Sequence, residues 1–224
     1  MIDQLLKIVA PHYCYGCRKA GSTLCSNCKY NIISEPFSGC IVCQKPAGER
    51  GVCGACSPSF ERAWCVSERT DVVQAVLDGY KFERQRSSYK ALGALLDDHV
   101  SDFSHEPVVV VPIPTVARHI RIRGYDHTML IARRFARLRN APLDTRLLTR
   151  KTSAAQLGAN RKKRIAQAKA AFHVRGIVSE TSVYLLIDDI TTTGSTLGYA
   201  ARALKGAGAS RVWVAVIARQ PLDK

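Results

Sequence analysis

Along the 224-residue chain the spacing of apolar positions changes character near residue 60. Up to residue 57, cysteines recur in pairs with Gly, Pro and polar residues between them, and neither a helical nor a strand period is sustained. Residues 58–62 form a short connector. From Ala63 onward, short apolar runs alternate with segments of helical spacing, the pattern of a parallel sheet covered by helices. Val72, Val73, Val76 and Leu77 make one helical stripe behind a Thr70-Asp71 cap, and Leu92, Leu95 and Leu96 make another. Four valines at 108–111 predict a buried strand, which Pro112 and Pro114 oblige to end in a loop. Leu130, Ile131, Phe135 and Leu138 place a helix over about 128–139. Residues 182–187 predict a second buried strand and 212–218 a third. Between them Leu197, Ala200, Ala201 and Leu204 line a small-residue helix over 196–207, closed by Gly206 and Gly208. The expected architecture is α/β: a small cysteine-rich domain over residues 1–57 and a parallel-sheet domain over 63–224.

The cysteines give the first part its chemistry. Eight of the nine fall as four Cys-x-x-Cys pairs: Cys14 and Cys17, Cys25 and Cys28, Cys40 and Cys43, Cys53 and Cys56. Four thiolates on two such knuckles satisfy tetrahedral Zn2+, and a segment this short has no core of its own, so bound metal would supply its folding energy. Pairing in chain order gives two structural zinc sites, a double zinc ribbon; the spacing also admits an interleaved arrangement. Cys65, in an apolar run, reads as a buried thiol. Thiols kept for metal fit a reducing compartment. No apolar run reaches the ~18 residues that span a bilayer, and the first residues lack the features of a secretory signal, so a cytoplasmic protein without a transmembrane segment is expected.

The formal charge of +15 points to polyanionic partners. It is regional: residues 115–175 hold sixteen Lys and Arg against Asp126 and Asp144. Beside that stretch, residues 184–196 read YLLIDDITTTGST. Asp188 and Asp189 arrive at the carboxyl end of a buried strand, where open parallel sheets bind ligands. Thr191, Thr192, Thr193, Gly194, Ser195 and Thr196 then supply hydroxyls, a residue that permits close backbone approach, and a helix amino end, which together suit a phosphate dianion. Two adjacent carboxylates beside a phosphate call for ribose hydroxyls or Mg2+. The expected ligand is a ribose 5-phosphate group such as phosphoribosyl pyrophosphate (PRPP). Neither a Gly-x-x-x-x-Gly-Lys loop nor a Gly-x-Gly-x-x-Gly turn after a strand is present, so triphosphatase and dinucleotide chemistry lack their motifs.

The segment 184–196 resembles the PRPP signature of type I phosphoribosyltransferases, and almost the whole chain resembles the ComF family (ComFC-like and GntX-like proteins). The resemblance rests on the Cys pairs, YKF at 80–82, VPIP at 111–114, Arg118 with RIRGYDH at 121–127, and QLGANRKKRIAQAKAAF at 156–172. The chain departs from the family at Asp126-His127, where Asn-Gln is usual, and at Gln167, where Asn is common.

The resemblance implies a type I phosphoribosyltransferase-like domain whose acid pair, Asp188 and Asp189, serves the ribose in any catalysis. Arg118, Arg121 and Arg123 would face pyrophosphate, with residues 156–172 as a cover over it and Lys81 reaching the phosphates or packing its stem. It further implies a role in natural competence and DNA uptake, handling single-stranded DNA alongside a competence helicase or other DNA-processing proteins. The alternative is an active Mg2+-dependent phosphoribosyltransferase of nucleotide or nucleoside metabolism, whose acceptor no segment identifies. Arg133, Arg134, Arg137 and Arg139 read as a solvated basic face or a face on nucleic acid, and His127 as a polar surface residue.

Overall fold

The computed structural model describes residues 12–69, 71–83, 85–150 and 172–221. Four strands, β1 (Arg62–Glu68), β2 (Val108–Pro112), β5 (Val183–Thr191) and β6 (Arg211–Arg219), form a wholly parallel sheet in the order β1-β6-β5-β2. A short antiparallel pair, β3 (Leu148–Arg150) and β4 (Phe172–Val174), stands apart from it. The sequence pattern did not announce that pair, because three-residue strands carry no measurable period. Likewise β1 is visible in the pattern only as an apolar run.

The central strands are apolar without interruption because both faces of the sheet are covered. Alternation sorts their side chains between two cores. Val183, Leu185 and Ile187 of β5 and Trp213, Ala215 and Ile217 of β6 face one core. There they meet α2 (Asp71–Phe82), α3 (Tyr89–His99) and α5 (His127–Leu138). Tyr184, Leu186, Val212, Val214 and Val216 face the other, closed by Leu197, Ala200, Ala201 and Leu204 of α6 (Ser195–Gly206) and by Leu148 and Phe172 of the small hairpin. Of the expected stripe over 128–139, Leu138 is partly exposed rather than packed.

The cysteine-rich part contains one helix, α1 (Ser26–Ser34), and touches both faces of the sheet. Cys14 and Leu24 join the core under α2 and α3, whereas Ile41 joins the core under α6. Tyr15 reaches α2 so closely that a side chain on Gly79 would collide with its hydroxyl, which donates to Glu83 at 2.9 Å. Among the described residues no helix is long and apolar enough to cross a membrane.

After β2, Pro112 ends the ladder as expected, but the following segment is not all loop: α4 (Ala117–Arg123) is a short helix closed by Gly124 in the left-handed conformation. A further helix cap is supplied by Asp126, whose carboxylate accepts from the Met129 amide at 3.0 Å and starts α5.

Candidate functional site

Register locates the site. The β2–β5 ladder stops at the pair Pro112 and Ile187, while β5 continues along β6 to Thr191 and Arg219. The last four residues of β5 therefore project past β2 at the carboxyl edge, with an open side. There the chain turns through Thr192, Thr193 and Gly194 into α6. Gly194 has φ 69°, which only glycine adopts freely, and its amide donates to the Thr191 hydroxyl at 3.2 Å. Among the described residues no side chain caps α6, so the positive end of its dipole is left to whatever enters. The Thr192, Thr193 and Ser195 side chains are exposed around it, with the Thr193 and Ser195 hydroxyls 2.7 Å apart.

Alternation along β5 also separates the two acids. Asp189 continues the row 183, 185, 187 toward the α2 and α5 face, where Lys81 Nζ lies 2.7 Å and His127 Nε2 2.9 Å from its Oδ2. The pair is deeply set: the Lys81 and Asp189 side chains are 12% and 6% exposed. Burial alone would raise the Asp189 pKa, but the Lys81 ammonium and the His127 contact outweigh it and hold the carboxyl below its ordinary range. Asp188 lies on the opposite face of the strand without such a cation, and burial together with the Asp189 charge pushes its carboxyl well above the usual range. The acids are thus unlike in kind: Asp189 is a fixed anion inside an ion cluster, and Asp188 keeps its proton to higher pH than an ordinary carboxyl.

His127 is the residue most at odds with expectation. It is buried, not a surface group, and it joins the loop after β2 to the acid pair. Arg123 NH1 lies 2.8 Å from its Nδ1. A guanidinium can only donate, so Nδ1 accepts and Nε2 carries the proton given to Asp189. Asp126 is held by the Thr115 hydroxyl at 2.8 Å, and the Tyr80 hydroxyl donates to the His127 carbonyl at 2.8 Å. The sequence offered one signal for this arrangement: an Asp that can cap a helix, followed by a His at the first helical position, at the carboxyl end of a strand.

Of the basic residues expected near pyrophosphate, Arg123 and Lys81 are brought to the acid pair, whereas Arg118 and Arg121 stay exposed along α4. The field is nevertheless shared. The pKa of His119 is lowered, by burial first and then by nearby charges, those of Arg123, Arg118 and Lys81 among them. The four arginines of α5 and its end divide. Arg139 is structural: it pairs with Asp97 at 2.6 Å, donates to the Val100 carbonyl at 2.6 Å, and covers Phe103 and Phe135. Arg133, Arg134 and Arg137 instead line a groove with Arg86 and Lys90. Within residues 156–172 only Phe172 is among the described residues, so the expected cover lies outside them.

The cysteines gather in chain order. Cys14, Cys17, Cys25 and Cys28 form one group and Cys40, Cys43, Cys53 and Cys56 another, with the sulfurs of each within 4.8 Å of one another. Four sulfurs about 2.3 Å from a central ion stand about 3.8 Å apart. Cys17 and Cys25 are 3.6 Å apart and Cys43 and Cys53 3.5 Å, which suits a shared ion and is far longer than a disulfide. Each group can hold one Zn2+. Cys65 stands apart, buried, with its thiol pushed up to about 12 by desolvation.

The second group is seated on the ligand edge by a residue that sequence reading overlooked. Arg219, at the end of β6, is 0% exposed; its Nε donates to the Ile41 carbonyl and its NH2 to the Val42 carbonyl, both at 2.9 Å. A charged residue closing a wholly apolar strand next to the acid-bearing one was the available clue. Val42 in turn lies against Gly194, where a Cβ would stand 3.4 Å from its side chain.

A parallel sheet with an acid pair and a threonine-rich turn at its carboxyl edge fits the phosphoribosyl transferase class, and the corresponding family model, the phosphoribosyl transferase domain, matches residues 80–224. The chain belongs to this family. Over nearly its whole length it is also similar to proteins of the ComF type. It is 27% identical over 220 residues to competence protein F of Haemophilus influenzae, covering 92% of this chain and 96% of the relative. It is 28% identical over 222 residues to the DNA utilization protein YhgH of Salmonella typhi, covering 92% and 97%, and 28% identical over 209 residues to competence protein ComFC of Bacillus subtilis, covering 86% and 82%.

Proposed function

We propose that this protein binds PRPP, or another ligand bearing a ribose 5-phosphate, at the turn spanning residues 188–196, and that it does so in the cytoplasm as part of DNA uptake, where single-stranded DNA is handled. The observation that carries the reading is the uncapped amino end of α6, ringed by Thr192, Thr193 and Ser195 and flanked by the two acids. In this reading the α6 dipole and amides hold the 5-phosphate, and the free edge of Asp188 accepts from the ribose hydroxyls. Asp189 acts indirectly, because Lys81 and His127 already occupy it. It keeps those two groups and Arg123 aimed at the opening, where a pyrophosphate would find cationic neighbours.

The donors suit Mg2+ as far as Asp188 is concerned. One carboxylate plus ligand phosphate oxygens is a common way to hold that ion, and Asp188 is the acid without a lysine partner. When bound, Mg2+ would neutralise pyrophosphate. The competence and DNA utilization names of the relatives support placing the ligand in DNA uptake. Helicase or DNA-processing partners fit the same reading.

Calorimetry with ribose 5-phosphate, and with PRPP and Mg2+, tests it. Saturable 1:1 binding is expected, weakened about tenfold or more by Asp188→Asn, as removal of a hydrogen bond to a charged group does. A wild-type protein that binds neither ligand would remove the assignment.

A further inference from the structure

The groove lined by Arg133, Arg134 and Arg137 has features that a merely solvated basic face lacks. It lies between α5 and the start of α3 and holds about 770 Å3; among the described residues it is lined by five cations, with Arg86 and Lys90 completing the set, and by no acid. Arg134 is built into it. Its stem crosses α3 at Gly93, where even one Cβ would stand 2.5 Å from Arg134 Cγ and 2.7 Å from Arg134 Cβ. Beyond that crossing, Arg134 Nε is buried with no hydrogen-bond partner among the described residues, and so is the hydroxyl of Ser87 on the same wall. Buried donors left open along an acid-free wall await acceptor oxygens.

From the groove, packed aromatic rings lead toward the acid pair. Arg86 reaches from the groove to the Tyr125 ring, 5.9 Å from its centroid, and Tyr125 packs on Tyr80 at 5.4 Å. Next to Lys81, Phe82 is 69% exposed, with the Arg123 guanidinium 5.7 Å from its ring centroid. From His127 to Arg134 along α5 is about 10 Å at the helical rise, or roughly three nucleotides of a stacked strand at 3.4 Å each. A row of cations followed by an exposed ring is the arrangement that holds an unpaired strand: phosphates on the former, a base on the latter.

We propose that the groove between α3 and α5, together with Phe82, is a track for single-stranded nucleic acid, leading a strand toward the turn spanning residues 188–196. The strand's phosphates lie on Arg86, Lys90, Arg133, Arg134 and Arg137, and a base stacks on Phe82. The track rests on the DNA-handling half of the function proposed above and not on the ribose-phosphate half. Neither depends on Arg118 or Arg121.

Fluorescence anisotropy of a labelled 20-nucleotide oligothymidylate, read across salt, tests it on the full chain. Each phosphate contact on a single strand contributes about 0.7 to the slope of log affinity against log salt, so Arg133→Gln/Arg134→Met/Arg137→Gln should flatten the slope by about 2. Met preserves the stem at Gly93, and an unchanged circular dichroism spectrum and Tm within a few degrees of wild type serve as proof of folding. Arg133→Lys/Arg137→Lys should keep the slope. Phe82→Ala should weaken binding about fivefold or more while leaving the slope unchanged. Wild-type binding with an unchanged slope in the folded triple variant overturns the track alone. Absence of wild-type binding overturns the DNA-handling reading with it. Equal binding of a duplex, indifferent to Phe82, overturns the single-strand assignment.

Discussion

Asp188 and Asp189 are the same residue type in adjacent positions, yet the strand sends them to opposite faces and gives them opposite titration behaviour. The Asp189 pKa is depressed in the fold. Its contribution to stability is therefore present above the ordinary carboxylate value of about 3.9 and is lost as pH falls toward the lower folded value. The Asp188 pKa is raised, so ionising it opposes folding increasingly as pH climbs from about 3.9 toward its folded value. Two isosteric substitutions should consequently differ in sign. Asp188→Asn should raise Tm at neutral pH, with a gain that shrinks as the pH is lowered to about 4, even though it weakens ligand binding. Asp189→Asn should destabilise by about 3 kcal/mol or more at neutral pH, because it strands the buried Lys81 ammonium. Thermal melts of both variants from pH 4 to 8 check this; a loss of Tm for both at pH 7 would contradict the account. Cys65, buried within β1 of the same sheet and with its thiol pushed up to about 12, should resist thiol reagents in the native protein while all nine cysteines react after denaturation and chelation.

At the scale of elements, helix contacts rest on single missing side chains. Gly93→Ala gains up to about 1 kcal/mol of helix propensity but must displace the Arg134 stem. A net loss of about 1–2 kcal/mol is expected in urea melts, since overpacking usually costs more than propensity returns. Strands and helices of this kind were legible in advance because their burial writes a period. The runs at 108–111, 182–187 and 212–218 announced β2, β5 and β6, and the four Cys pairs announced two metal groups. The acid pair was placed at a strand end, although β5 runs through it to Thr191 rather than stopping at 187. What stayed hidden depends on pairings across the chain. Sequence spacing cannot tell that His127, not Arg118, reaches Asp189, or that Phe82 is left in solvent while Phe135 is buried. Nor can it separate Arg139, which staples α3 to α5, from Arg133 and Arg137, six and two positions earlier, which line the groove.

Viewed whole, the molecule has each of its two cysteine groups braced against an element next to the acid pair. The first supports α2, which carries Lys81, through Tyr15 at Gly79. The second supports the turn at Gly194 through Val42, held by Arg219. Metal analysis should find two zinc ions per chain. Cys53→Ser/Cys56→Ser should leave about one and weaken ribose 5-phosphate binding about tenfold or more, the range of ordinary coupling between sites. Retention of full affinity with one zinc would show the second group to be a bystander. The seating of Val42 against Gly194 has a further consequence, because coupling between two ligands is reciprocal. If zinc in the second group tightens the grip on a sugar phosphate, the sugar phosphate must raise the affinity for that zinc, measured against a competing chelator at equilibrium, by the same factor. The protein would then report, in how firmly it keeps one of its metals, whether its sugar-phosphate site is filled.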